Sequence, residues 1–167
     1  MKKALLTLCS VMLVCMMTGC NNQKNNLPEL EGVSLSEKYD DFVKAFRDKG
    51  FRVGKEVPDK TIIEGTFKKY GDCLYTIHKG VHGDVKKVTL WLGHPMPDYI
   101  GALSGYELLK TDMEKMIGVP AKEMGAIKEH IVKVAFVKTD DIEAVVSIEY
   151  YNNDKNSYVV MCDIYCD

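Results

Sequence analysis

The chain has 167 residues, of which 46% are hydrophobic and 28% charged, with a formal net charge of −2. That length and apolar content suffice for one domain with a real core. The mild acidity and the lack of any Lys/Arg cluster exclude a nucleic-acid surface, and beyond residue 17 no apolar stretch approaches the ~18 residues of a membrane-spanning helix.

The chain opens MKKALLTLCSVMLVCMMTGC. Lys2 and Lys3 make a short positive segment, and Ala4 to Met17 is an apolar run too short to span a bilayer comfortably. It ends in Met17-Thr18-Gly19-Cys20. A positive start, a short apolar run and small residues before the cut are the marks of a secretory signal. With cysteine immediately after them, the pattern resembles the bacterial lipoprotein box, departing from it at Met17, where leucine is usual. The resemblance implies that residues 1–19 are removed and that the Cys20 thiol takes a diacylglyceryl group. The protein would then be exported and held to the membrane by acyl chains on Cys20. Loss of Lys2 and Lys3 would take the net charge from −2 to −4.

Asn21 to Gly32 (NNQKNNLPELEG) has little to bury and reads as a flexible tether with an r.m.s. span of roughly 20 Å. Residues 33–167 then form a single domain. Ser34 and Glu37 have capping-box spacing. Tyr39, Phe42, Val43 and Phe46 form one apolar stripe of a helix, Lys38, Asp41, Lys44 and Arg47 its solvated side, and Gly50 stops it.

Past Gly50 the apolar period drops to two. Strands are expected at Phe51–Val53, Thr61–Lys68, Cys73–His78 and Val85–Leu92, with turns at Val57–Lys60, Tyr70–Asp72 and Lys79–Asp84. Gly93 to Asp98 reads as a loop. A second S-x-x-E pair, Ser104 and Glu107, precedes a second stripe of Tyr106, Leu109, Met113 and Met116, ended by Gly118-Val119-Pro120. Three more strands follow at Ile131–Lys138, Ile142–Tyr151 and Tyr158–Cys166. The order helix, strands, helix, strands predicts an α+β domain, two helices on one face of an antiparallel sheet, built from pseudo-repeats at 33–93 and 102–167.

Alternation assigns the faces. Val88, Leu90 and Leu92 share a side, as do Cys73, Tyr75 and Ile77. Val132, Val134 and Phe136 form another such set, followed by Ala144, Val146, Ile148 and Tyr150, and by Val160, Cys162, Ile164 and Cys166. All are expected beneath the helices. The other side would hold Trp91, Tyr151, Met161 and Tyr165 among Thr76, His78, Thr89, Val145, Ser147, Glu149 and Asp163. A sheet face left to water is normally polar. Trp and Tyr, apolar at one end and polar at the other, are what interface centres use. Trp91, Tyr151, Met161 and Tyr165 are therefore the candidate partner-binding residues, with Gly93–Tyr99 beside them.

Six cysteines are present. Cys9 and Cys15 would leave with the signal, and Cys20 would carry lipid. Cys162 and Cys166 stand four apart in one strand, roughly 13 Å between Cα atoms, too far to pair. Cys73 could pair with either, or all three could be small buried residues.

The common catalytic signatures are absent: no G-x-S-x-G, no H-E-x-x-H, no phosphate-binding loop and no C-x-x-C. His78 and His82, with His94, could form a surface metal site, but solvated turn histidines are the simpler reading, and neither metal nor cofactor is expected. The acid pairs Asp40-Asp41 and Asp140-Asp141 read as solvated. The expectation is a non-catalytic protein- or ligand-binding module acting through the sheet face opposite the helices, and hydrolysis or metal binding is a remote alternative.

Several segments resemble a group of small lipoproteins from gut-dwelling Gram-negative anaerobes. They are Lys49-Gly50-Phe51 at the first helix end, GTFKKYGDCLYTI (65–77), SIEYYN (147–152) and VVMCDIYCD (159–167). The doubled helix-plus-sheet order also resembles the fold of beta-lactamase inhibitory protein and of small outer-membrane assembly lipoproteins. The resemblance implies a sheet face that binds another envelope protein, or a structural part in assembling an outer-membrane complex. Asn21, standing where enteric inner-membrane lipoproteins carry Asp, favours the outer membrane.

Overall fold

The computed structural model describes residues 27–125 and 128–166, so the expected signal, Cys20 and the first half of the tether lie outside it. Tyr39, Phe42, Val43 and Phe46 are all buried on one side of helix α1 (Tyr39–Asp48). Gly50 takes φ 89° just past the helix end, a conformation only glycine adopts without strain. The expected capping box does not form. Ser34 lies in a strand and its hydroxyl meets that of Ser36 at 2.7 Å. Lys38 precedes the first turn without a side-chain cap, and Asp40 and Asp41 supply the favourable charge there.

The tether ends earlier than its composition suggests. β1 (Glu29–Leu30) and β2 (Val33–Ser34) form a tight hairpin over Glu31 and Gly32, both at positive φ. Leu30, Val33 and Leu35 are buried in the main core. The domain therefore includes residues 27–32.

Eight further strands make one antiparallel sheet: β3 (Arg52–Val57), β4 (Lys60–Thr66), β5 (Asp72–Lys79), β6 (Val85–Met96), β7 (Lys122–Met124), β8 (Ile131–Lys138), β9 (Ile142–Tyr151) and β10 (Asp154–Cys166). Their order is β3-β4-β5-β6-β10-β9-β8-β7. A helix followed by a four-stranded meander thus occurs twice, and the last strands of the two meanders meet at the centre. The protein is α+β.

Helix α2 (Tyr99–Ile117) starts before Ser104, which lies within it. The cap is Asp98, whose Oδ1 accepts the Gly101 N–H at 2.6 Å. Ala102, Tyr106, Leu109 and Met113 are its buried stripe, and Gly118 ends it in the left-handed conformation.

Both helices lie on the same sheet face. The Phe46 ring sits 5.2 Å from that of Tyr75, and a β-carbon on Gly105 of α2 would be 3.6 Å from Val160 Cγ2 and 3.9 Å from Leu92. The pairings Tyr75–Leu90, Leu90–Cys162 and Leu92–Val160 put these residues on one side. Val88, Leu90, Ile77, Cys162, Ile164, Ala144, Val146 and Ile148 fill the layer between.

Three strand expectations are corrected. Gly93 to Met96 continue β6 instead of looping. β5 has already ended beside Leu92, so the N–H that Pro95 lacks is not missed. β7 carries no apolar pattern and is wholly exposed. In β8 the faces are reversed past a register shift: Ala135 and Val137 pair with Val146 and Ala144 under the helices, whereas Val134 and Phe136 pair with Ser147 and Val145 on the far side, and Val132, before the shift, packs against the core as expected. Ile131-Val132-Lys133-Val134-Ala135-Phe136-Val137 is apolar at both parities, so alternation does not fix its face.

Candidate functional site

Among the described residues no helix lies over the far side of the sheet. Strand register lays its side chains out in rows. One row runs Glu64, Leu74, Trp91, Met161, Ser147, Val134, each the direct cross-strand partner of the next. A second runs Thr76, Thr89, Asp163, Val145, Phe136. A third runs His78, Lys87, Tyr165, Glu143, Lys138. The first row is apolar across the middle strands, the second is polar there and apolar at Val145 and Phe136, and the third makes a charged border.

Trp91 and Met161 are therefore direct neighbours at the centre of this face, both half-buried. Tyr165 lies four residues along β10 from Met161. Tyr151 lies four residues along β9 from Ser147, the partner of Met161, in the other direction. The two tyrosines, both exposed, stand at opposite ends, roughly 26 Å apart at strand rise. The candidate residues share a face but form one central pair with two outliers, not one patch.

Leu74 and Phe136, the largest other apolar side chains in these rows, were not among the candidates. Leu74, 42% exposed, is the direct partner of Trp91. Its position between Cys73 and Tyr75, both core-facing, was the available signal. Phe136 was assigned to the wrong side, for the reason given above.

The seam between β6 and β10 carries a polar knot. Asp163 accepts from the Thr89 hydroxyl at 2.6 Å and from the Tyr165 hydroxyl at 3.3 Å, and pairs with Lys87 Nζ at 3.0 Å. Lys87 also stands 5.2 Å over the Tyr165 ring. Beside it, burial and then the positive charges of Lys87 and Lys60 push the His78 imidazole below its ordinary pKa.

Two depressions flank the sheet. One, of about 300 Å³, lies between α1 and the β3–β4 hairpin, where Arg47 pairs with Glu56 and Lys79 with Asp40. The other, of about 470 Å³, opens beside Leu74 at the end of β4, β5 and β6.

The cysteines do not pair as one reading allowed. Cys73 is on β5 and Cys162 on β10, with β6 between them, so their Cα atoms are two strand spacings apart, roughly 9 to 10 Å or more. A disulfide needs about 7 Å or less. Cys166, four residues further along β10, is more distant still. Cys73 and Cys162 are buried thiols in the helix-side layer. Burial pushes the Cys73 thiol up to about 11, with Glu31 and Asp72 adding to the rise, and burial raises that of Cys162 as well. Neither is suited to act as a nucleophile.

Of the histidines considered as metal ligands, His78 lies in β5, His82 in the following turn and His94 near the end of β6. Among the described residues no three His, Cys, Asp or Glu side chains are grouped to hold a metal ion, and no helix is long and apolar enough to cross a membrane.

Compared with protein-family models, curated proteins and solved structures, the chain matches none.

Proposed function

We propose that this is a lipid-anchored envelope protein that binds another protein, without catalysis, through the sheet face opposite the helices. The observation that carries the reading is the row Leu74, Trp91, Met161. Three large apolar side chains lie side by side at the middle of a sheet whose other face is already sealed by two helices. Such a surface costs solvation free energy while it faces water and regains it on contact, at about 25 cal/mol per Å². The polar knot around Asp163 and the charged third row form a rim, the usual arrangement around an apolar interface centre. Anchoring comes from Cys20, and the outer membrane is the favoured location.

The test is retention of a defined partner. The full chain in mild detergent, and a Trp91→Ser, Met161→Ser variant of it, are incubated with native envelope extract and cross-linked. One protein recovered stoichiometrically with the first and lost with the second is the expected result. Equal recovery with both, given unchanged circular dichroism, would remove the open face from the reading.

A further inference from the structure

The cavity of about 470 Å³ lies on the open face, at the Leu74 end of the apolar row. Its size falls within the range of sites that take a side chain or a small ligand, roughly 300–1,000 Å³. Two glycines line it, Gly65 and Gly93. Gly93 takes φ 59°, and a β-carbon there would meet nothing nearer than the Asp72 carbonyl oxygen at 3.7 Å. Its positive φ disfavours any side chain at this edge of the hollow.

The permanently charged groups of its wall are carboxylates. Leu74 supplies apolar surface, Glu64 and Asp72 supply carboxylates and His94 an imidazole, and among the described residues no lysine or arginine lines it. Glu64 is the direct partner of Leu74 and Asp72 the partner of Thr66, so the two carboxylates stand on a cross-strand diagonal, about 7–8 Å apart at the backbone. Arg52 reaches Glu64 from the sheet edge. Asp72 is exposed and has no ion pair among the described residues.

We infer that the cavity receives a basic side chain, lysine or arginine, of a protein partner, its methylenes lying on Leu74 and its charge between Glu64 and Asp72. The inference rests on the reading that the open face binds protein, and it specifies what that partner presents. A long side chain with an apolar stem and a charged head matches a hollow with an apolar wall and an acidic rim.

Trp91 is the only tryptophan in the chain and the cross-strand partner of Leu74, so its fluorescence reports occupancy. The full chain in neutral detergent is titrated with acetyl-Leu-Lys-Leu-amide and separately with acetyl-Leu-Glu-Leu-amide. The lysine peptide is expected to change Trp91 emission saturably, with a half-point at least fivefold lower than that of the glutamate peptide. Asp72→Asn should raise the lysine half-point at least threefold without moving the thermal midpoint, and Glu64→Gln gives a second, independent reading. Equal response to both peptides would overturn the inference while leaving the open-face reading intact, and so would indifference to both substitutions. No response to either peptide also overturns it. The open-face reading falls only if partner retention fails in its own experiment.

Discussion

The Thr89 hydroxyl donates to Asp163 Oδ1 at 2.6 Å across the central seam, where the two meanders join through β6 and β10. Thr89 is 6% exposed, so its hydroxyl has little water to turn to. Thr89→Val keeps the shape and leaves the carboxylate one donor short. A hydrogen bond to a charged group is worth about 1.5–3 kcal/mol, and Lys87 and Tyr165 still serve Asp163, so the lower part of that range is expected. Urea unfolding should show a lower midpoint with an unchanged slope. An unchanged midpoint would mean that the seam is held by apolar contact and backbone pairing alone.

At the β7 end of the sheet, Glu123 receives hydrogen bonds from Lys110 of α2 and Lys133 of β8, and both lysines also pair with Glu107. The two ammonium groups stand 5.6 and 5.1 Å over the Tyr106 ring. The bonds from Lys110 and then Lys133 hold the Glu123 carboxyl below its ordinary range. A depressed carboxyl pKa contributes stability that is complete above the unfolded value of about 4.5 and is lost as pH falls through the folded value. Glu123→Gln should therefore be less stable than the parent at pH 7, and the gap should shrink as pH drops below about 4.5. Paired unfolding curves at pH 7 and pH 3.5 check this. A gap that stays constant would mean that Glu123 acts through packing alone.

Most of this architecture is legible because its apolar patterns are one-sided. The α1 stripe from Tyr39 to Phe46 is buried as its spacing predicts, as are Leu90 and Leu92 of β6, Cys162 of β10 and the other residues of that layer. Legibility fails where a pattern is two-sided or absent. β8 is apolar at both parities, and only its register with β9 shows that Phe136 faces out. β7 has no apolar residue but Met124, and it forms because β8 offers an unpaired edge. The two S-x-x-E pairs mislead because cap chemistry is local: Asp98 lies nearer the true start of α2, and Ser34 is already committed to a hairpin. The open face itself was predicted from alternation, but the hollow beside Leu74 was not. It depends on the conformation of Gly93 and on where β5 stops relative to β6.

The anchor expected at Cys20 rests on Met17-Thr18-Gly19-Cys20 and is tested directly. Cells expressing the parent or Cys20→Ala are fed an alkyne-bearing palmitate analogue. The parent should take up label and fractionate with membranes, whereas the variant should lose the label. Labelling that survives Cys20→Ala would place the lipid elsewhere, and an unlabelled parent would make the signal an ordinary one.

Cys73 and Cys162 sit in the helix-side layer with raised thiol pKa values. With the Cys73 value near 11, about one molecule in a thousand carries the reactive thiolate at pH 8. Iodoacetamide at pH 8 should leave both residues unmodified in the folded protein and label both after unfolding without reductant. A disulfide-linked peptide containing Cys73 in the peptide map would contradict the strand order, because β6 separates Cys73 from both other cysteines of the domain.

Two glycines make opposite predictions. The Phe51 ring lies against Gly65 and packs 4.9 Å from Phe46 and 5.6 Å from Tyr75, and a β-carbon at position 65 would overlap it. Gly65→Ala must displace the ring from a packed aromatic cluster, at an expected cost of about 1–3 kcal/mol. Gly105 is interior to α2, and a β-carbon there would meet Val160, Met96 and Leu92 at 3.6–3.9 Å, ordinary contact distances. Gly105→Ala should therefore stabilise the protein, by up to about 1 kcal/mol from helix propensity. Thermal midpoints should move down for the first and up for the second. A fall at both would mean that α2 lies closer to the sheet than these distances allow, and no change at position 65 would mean that the Phe51 ring has somewhere else to go.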